Sequence, residues 1–193
     1  MSKEALFSVI SSLEEIYQTN SNIDQQEDLL KFNNLIQENH AANSKLWINE
    51  EIARSEDIVD SKIVKAKRKI DSLNQIRNDC VESINDELKE LLLTDNINLD
   101  NFDNFNSESF GSIIDRFSIM YLKSFYMSRH INNFELEESL RESCKSKLKL
   151  IEIQKSDLKS FLHELIEDIY SKRRAFKIYK QFKTYNNPKL RIF

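Results

Sequence analysis

Glycine and proline are almost missing from this chain: Gly111 and Pro188 are the only ones in 193 residues. Sheets and α/β folds place both residues at turns, so this scarcity argues against many short connections and points to long helices. One glycine also cannot build a P-loop or a dinucleotide-binding turn. Histidine is confined to His40, His130 and His163, and no Glu-x-x-His occurs, so the paired motif of a di-iron bundle is absent. Cys80 and Cys144 have no second cysteine or histidine at zinc-ligand spacing. Each falls in a helical pattern, and we read them as reduced, small core residues rather than a disulfide. No run approaches the ~20 apolar residues of a membrane span. The N-terminal MSKEALFSVISSLEEIY lacks a secretory cleavage pattern. A soluble, cytoplasmic protein without a transmembrane segment is expected.

What the chain does have is charge and helical periodicity. Charged residues make up 31% and hydrophobic ones 40%, which suits helices with one buried and one wet face. The length fits one domain, 1–193. Its net charge of -4 is unevenly spread. From Ser171 onward there are eight basic residues and no acidic one, which leaves residues 1–170 with 20 basic against 32 acidic residues, a net charge of -12. The pattern predicts a first helix over Lys3–Gln18 with Ser2 as N-cap and Leu6, Val9, Ile10, Leu13 and Ile16 inward. A second runs from about Gln25 to Arg54, and a third from Ser61 to Leu93 with Asp60 as cap. The Asn- and Asp-rich stretch Thr94–Ser109 is the long loop. A fourth covers Ser112–His130, and a fifth starts near Phe134 and continues, with a kink near Ser171, into a basic C-terminal helix ending by Pro188. The expected fold is therefore all-α: a single bundle of about five long helices.

Polar residues interrupt the inward rows. The second helix gives Phe32, Ile36, Asn39, Asn43, Trp47, Glu50 and Arg54 at steps of three or four, with Glu51 beside them. Its neighbour gives Ile63, Lys67, Ile70, Asn74, Arg77, Val81, Ile84 and Leu88, flanked by Asp71 and Asn78. Asp115, Lys123, Tyr126 and His130 share a face of the fourth helix, and Lys147 and Gln154 interrupt the fifth. Buried charge is costly unless paired, so these groups either pair or line a solvated cleft. Arg54, Lys67, Arg77, Lys123 and Lys147 outnumber Glu50, Asp71 and Asp115, which predicts a polar core layer with a positive surplus. An anion pocket for a phosphate or sugar nucleotide would look like this. Its residues would be Trp47, Glu50, Arg54, Lys67, Asp71, Asn74, Arg77, Asp115 and Lys123. A salt-bridge network fixing helix register, or helices with wet polar rows, would account for the same pattern.

Two other chemistries compete. All-helical nucleotide pyrophosphohydrolases hold Mg²⁺ with carboxylates on facing helices, and Glu50 with Glu51, then Asp79 with Glu82, offer such groups at a generic spacing. In the basic tail, Ala175, Ile178, Tyr179, Phe182 and Tyr185 form an apolar face opposite Arg173, Lys177 and Lys180. Such a helix either contacts anionic lipid or docks by its aromatic face on the acidic body, and we favour docking. The acidic body argues against a nucleic-acid partner.

Four segments, LWINEEIARS (Leu46–Ser55), KRKIDSLNQIRND (Lys67–Asp79), IIDRFSIMYLKSFYM (Ile113–Met127) and YKQFKTYNNPKL (Tyr179–Leu190), occur in this order. Together they resemble the bacterial domain-of-unknown-function family numbered 4254. Trp47, Glu50, Glu51 and Arg54 match the first block, and Lys67, Arg68, Asp71, Asn74, Gln75, Arg77 and Asn78 the second. Asp115, Arg116, Ser118 and Lys123 match the third; Tyr179, Lys180, Gln181, Lys183, Tyr185 and Asn186 match the fourth. The chain departs from the family pattern at Tyr126, often His, and at Lys172, often Gly. It ends at Phe193, where the family pattern carries a further tail. The resemblance carries no assigned activity and no cofactor. It implies a setting beside glycosyltransferases of lipopolysaccharide and envelope-glycan synthesis. The reading that unites residues and resemblance is an accessory protein binding a phosphosugar or sugar nucleotide, with a glycosyltransferase as partner. A Mg-dependent pyrophosphohydrolase and a purely structural, partner-binding protein are the alternatives, and long amphipathic helices also suit a homodimer.

Overall fold

A computed structural model describes residues 2–18, 27–180, 182 and 188–190. Six helices carry the fold: α1 (Lys3–Ser11), α2 (Leu13–Gln18), α3 (Glu27–Ala53), α4 (Asp60–Thr94), α5 (Phe110–Ile131) and α6 (Glu138–Tyr170). The expected all-α bundle is present. Ser2 caps α1 through its hydroxyl, which accepts from the Ala5 N–H at 3.3 Å. The break between α1 and α2 falls at Ser12, where the Ser11 and Ser12 hydroxyls donate back to the carbonyls of Phe7 and Ser8. Such back-bonding competes with the helix ladder and explains two short helices where the apolar spacing predicts one. Leu6, Val9, Ile10, Leu13 and Ile16 are buried all the same. At the start of α4 the expected capping role of Asp60 is not realised. Val59 is the N-cap, without a side-chain hydrogen bond, and Asp60 is the first helical residue, where its charge favours the helix dipole.

Helices α3 and α4 pair along their length, and α5 pairs likewise with α6. Helix α5 lies against both α3 and α4, while α1 rests on α6 and α2 on α3. The main core forms where the pairs meet: Phe32 and Ile36 of α3, Ile84 and Leu88 of α4, Phe110, Ile114 and Phe117 of α5, and Leu162 and Ile166 of α6, closed by Leu6, Ile10 and Leu13. A smaller cluster of Leu46, Ile70 and Leu73 holds the α3–α4 pair farther out. The lone glycine sits where α5 crosses α4. A Cβ on Gly111 would lie 2.5 Å from the Val81 carbonyl oxygen, inside any tolerable contact. Asn85 fixes the crossing by accepting from the Gly111 N–H at 2.7 Å and donating to Ser109 Oγ at 2.9 Å.

The basic C-terminal helix is not formed over the described part of 171–180. Helix α6 ends at Tyr170, Lys172 takes a left-handed φ of 56°, and Arg173 N–H closes the turn on the Asp168 carbonyl at 2.9 Å. Beyond it, strand β2 (Ala175–Phe176) pairs in parallel with strand β1 (Phe105–Asn106) from the Asn-rich loop, Phe105 opposite Ala175. Ala175 and Phe176 are fully buried, so the apolar residues dock, but as an extended strap. Arg173 and Arg174 pair with Asp168, and Lys180 with Glu82 and Asp86. Expected tail residues Tyr185, Asn186 and Asn187 lie outside the described residues. Cys80 is buried and Cys144 half-buried, and both are free thiols. No described helix is long and apolar enough to cross a membrane.

Candidate functional site

A polar layer interrupts the core between its two apolar clusters, built by facing turns of α3 and α5. Its centre is Asp115, whose Oδ1 accepts from Asn39 at 3.0 Å and from Asn43 at 2.9 Å. Asn43 also donates to Ser118 Oγ at 3.1 Å, and Ser118 lies 2.9 Å from His40 Nδ1. The Ser118 hydroxyl thus bridges Asn43 and His40. Burial pushes the His40 pKa down to about 4. The Tyr17 phenol, stacked on His40, is held well above its usual range by burial and by the charges of Asp115 and Glu14. Burial, with Glu38, Asp79 and Asp115 near it, raises the Cys80 thiol to about 11, so it is an inert core residue.

Above this layer opens a cleft of about 370 Å³ between α3, α4 and α5. Trp47, Glu50 and Glu51 line it from α3 and Arg54 from the turn that follows, Asn74 and Arg77 from α4, and Ile119 and Leu122 from α5, with the buried Asn43 and Leu46 beneath. Trp47 stacks on Tyr126 with ring centroids 4.7 Å apart and planes within 5°, and its indole N–H donates to Glu51 at 2.8 Å. Glu50 and Arg54 form an i,i+4 pair at 3.2 Å. Arg77 is different. Its Nε is sheltered from solvent without a hydrogen-bond partner and stands 3.6 Å from the Asp115 oxygen that already accepts two amides. Asn74, one turn before it, makes no side-chain hydrogen bond among the described residues and is half-buried.

Five of the nine sequence-predicted residues thus meet around one cleft, namely Trp47, Glu50, Arg54, Asn74 and Arg77, and Asp115 lies beneath them. Lys67 and Asp71 do not join them: both are exposed on α4, because the inward positions there are Ala66, Ile70 and Leu73. Lys123 is half-buried and is not a lining residue. With those lysines outside, two glutamates balance two arginines, so the expected positive surplus is not a property of the cleft itself. The inward rows leave out His40 and Leu46. His40 follows Asn39 on the same turn, and its neighbour's inward amide was the available signal. The carboxylates considered for Mg²⁺ are parted: Glu50 and Glu51 line the cleft, Asp79 accepts from Gln75 at 2.6 Å, and Glu82 pairs with Lys180. Among the described residues no group of three or more His, Cys, Asp or Glu side chains gathers as a metal site would require.

The family model described as "Protein of unknown function (DUF4254)" matches residues 33–178, which span α3 to the strap and include every cleft residue. Three of the four signature blocks lie inside the match, and the fourth follows it directly. No curated protein and no solved structure matches the chain. The chain belongs to the DUF4254 family of proteins of unknown function.

Proposed function

We propose that this protein binds a compact, hydroxyl-rich anion, a phosphorylated sugar by class, in the cleft between α3, α4 and α5, and serves as a non-catalytic accessory of envelope-glycan assembly. One observation carries the reading: Arg77 and Asn74 line the cleft from adjacent turns of α4, and neither side chain makes a hydrogen bond to a described residue, the Arg77 Nε standing 3.6 Å from Asp115. Hydrogen bonds from a guanidinium to a phosphate are charge-assisted, roughly twice as strong as neutral ones. Arg77 is held from behind by Asp115 and presents a planar fork to a phosphate. Arg54 is the second cation. Its pair with Glu50 is exposed and contributes little, so exchanging that partner for a phosphate costs little. Glu50, Glu51 and the Asn74 amide would read hydroxyls, and Trp47 with Ile119 and Leu122 gives the apolar wall that sugar rings favour. The volume lies at the low end for small-molecule sites, which favours a phosphosugar over a whole sugar nucleotide. The glycan setting comes from the family resemblance, and a glycosyltransferase is the partner it would serve.

Calorimetry and thermal shift with sugar phosphates, sugar nucleotides and inorganic phosphate, with and without Mg²⁺, test this. A ligand at a hundredfold excess over its Kd should stabilise the protein by about 2.7 kcal/mol. Arg77→Met and Asn74→Ala should each abolish the shift while the protein stays folded, and Asn74→Ala leaves the Asp115 cluster intact. Absence of any shift in the parent, or unchanged binding by both variants, would remove the proposal. Mg²⁺-dependent release of phosphate would replace it with a hydrolase.

A further inference from the structure

Helix α4 carries exposed residues at regular spacing along its outward face. Lys65, Lys69, Ser72 and Ile76 follow one another at alternating steps of four and three, and Asp79, Ser83, Asp86 and Glu90 continue the walk; all eight are exposed. This is a strict seven-residue repeat on the solvent side of a 35-residue helix. Its charge is segregated. Of the five cations between Lys62 and Lys69, none forms an ion pair among the described residues, although all are exposed. The far half is acidic, and Glu90 is likewise unpaired there, while Asp86 shares Lys180 with Glu82.

From this pattern we infer that the protein self-associates through α4, two copies packing antiparallel about a two-fold axis. A face that is basic at one end and acidic at the other is complementary to itself when reversed, which is what an isologous interface requires. The repeat fixes one register: Lys65 meets the partner's Glu90, Lys69 its Asp86, Ser72 its Ser83, and Ile76 its Asp79. Serines at the third layer allow the helices to approach closely. Ile76, 45% exposed, is the apolar contact nearest the axis. An anionic membrane would attract only the basic half and repel the other, so a second copy fits the whole face better. Because the contacts are charge pairs on an exposed seam, the dimer is weak and salt-sensitive.

Sedimentation equilibrium of the full chain tests this, with circular dichroism as the folding control. At low salt the parent should sediment as a dimer and dissociate as salt is raised. Lys65→Glu with Lys69→Glu should give monomers. Adding Asp86→Lys with Glu90→Lys to that variant reverses both ends together and should restore the dimer, which no general loss of folding could mimic. A parent that stays monomeric at low salt overturns the inference, and so does a half-reversed variant that dimerises like the parent. A monomeric parent that co-sediments with phosphatidylglycerol vesicles would assign the basic half to a lipid surface instead and would equally overturn it.

Discussion

His40 lies flat on Tyr17, ring centroids 4.2 Å apart, and edge-on to Tyr121 at 5.5 Å, with Ser118 on its Nδ1. Its imidazole is therefore held neutral by burial, with a folded-state pKa near 4 against an ordinary value of 6.5. A depressed histidine binds fewer protons folded than unfolded, so its contribution is fully present above pH 6.5 and is lost as pH falls toward 4. The loss amounts to about 2–3 kcal/mol on that interval. Urea unfolding of the parent and of His40→Gln at pH 7 and pH 4.5 should show the parent losing more stability than the variant. Equal losses would mean that His40 takes up its proton without disturbing the stack. The same residue scale shows what was legible in the site. Asn39, Asn43, Asn74, Arg77 and Asp115 stood out because polar groups interrupt otherwise apolar rows. Lys67 was drawn inward by a walk that is one position out of phase, since small Ala66 holds the inward place and gives a row no visible weight.

At the scale of elements, the apolar period locates α3, α4 and α5 to within a few residues, because long amphipathic helices carry their own evidence. Helix α6 differs at its C-terminal end: its 3.6-residue pattern continues through Ala175, Ile178 and Tyr179, yet the chain leaves the helix at Tyr170. The stop is a left-handed residue, and in this sequence the position is Lys172 rather than a glycine, so the usual mark is missing. The partner of β2 is Phe105, seventy residues earlier, and no local pattern reports such a pairing. The left-handed φ of Lys172 implies strain that glycine lacks, about 1–2 kcal/mol, partly offset by the greater freedom of an unfolded glycine. Lys172→Gly is therefore expected to stabilise the protein by about 0.5–1 kcal/mol, read as a higher melting temperature in calorimetry. A lower one would show that the Lys172 side chain contributes more than its backbone costs.

Across the whole molecule, the division into an acidic body and a basic tail was visible in the charge sequence, but its meaning depends on how the tail is held. The strap does more than neutralise. Phe176 is 1% exposed and belongs to the same core cluster as Phe110, Leu162 and Ile166, and Lys177 lies 4.4 Å over the Phe105 ring. It thereby ties the loop after α4 to the end of α6, linking the two helix pairs through a contact independent of their shared interface. If the strap is part of one cooperative unit, removing its anchor must lower the stability of the entire bundle. Phe176→Ala deletes a fully buried aromatic ring, at a cost of about 3–5 kcal/mol. For a protein of this size each kcal/mol shifts the melting temperature by about 2–4 °C, so a single transition lowered by roughly 6–20 °C is expected. Calorimetry distinguishes this from the alternative. An early small transition followed by an unshifted main one would mean that the strap opens by itself, and that the helices hold together without it.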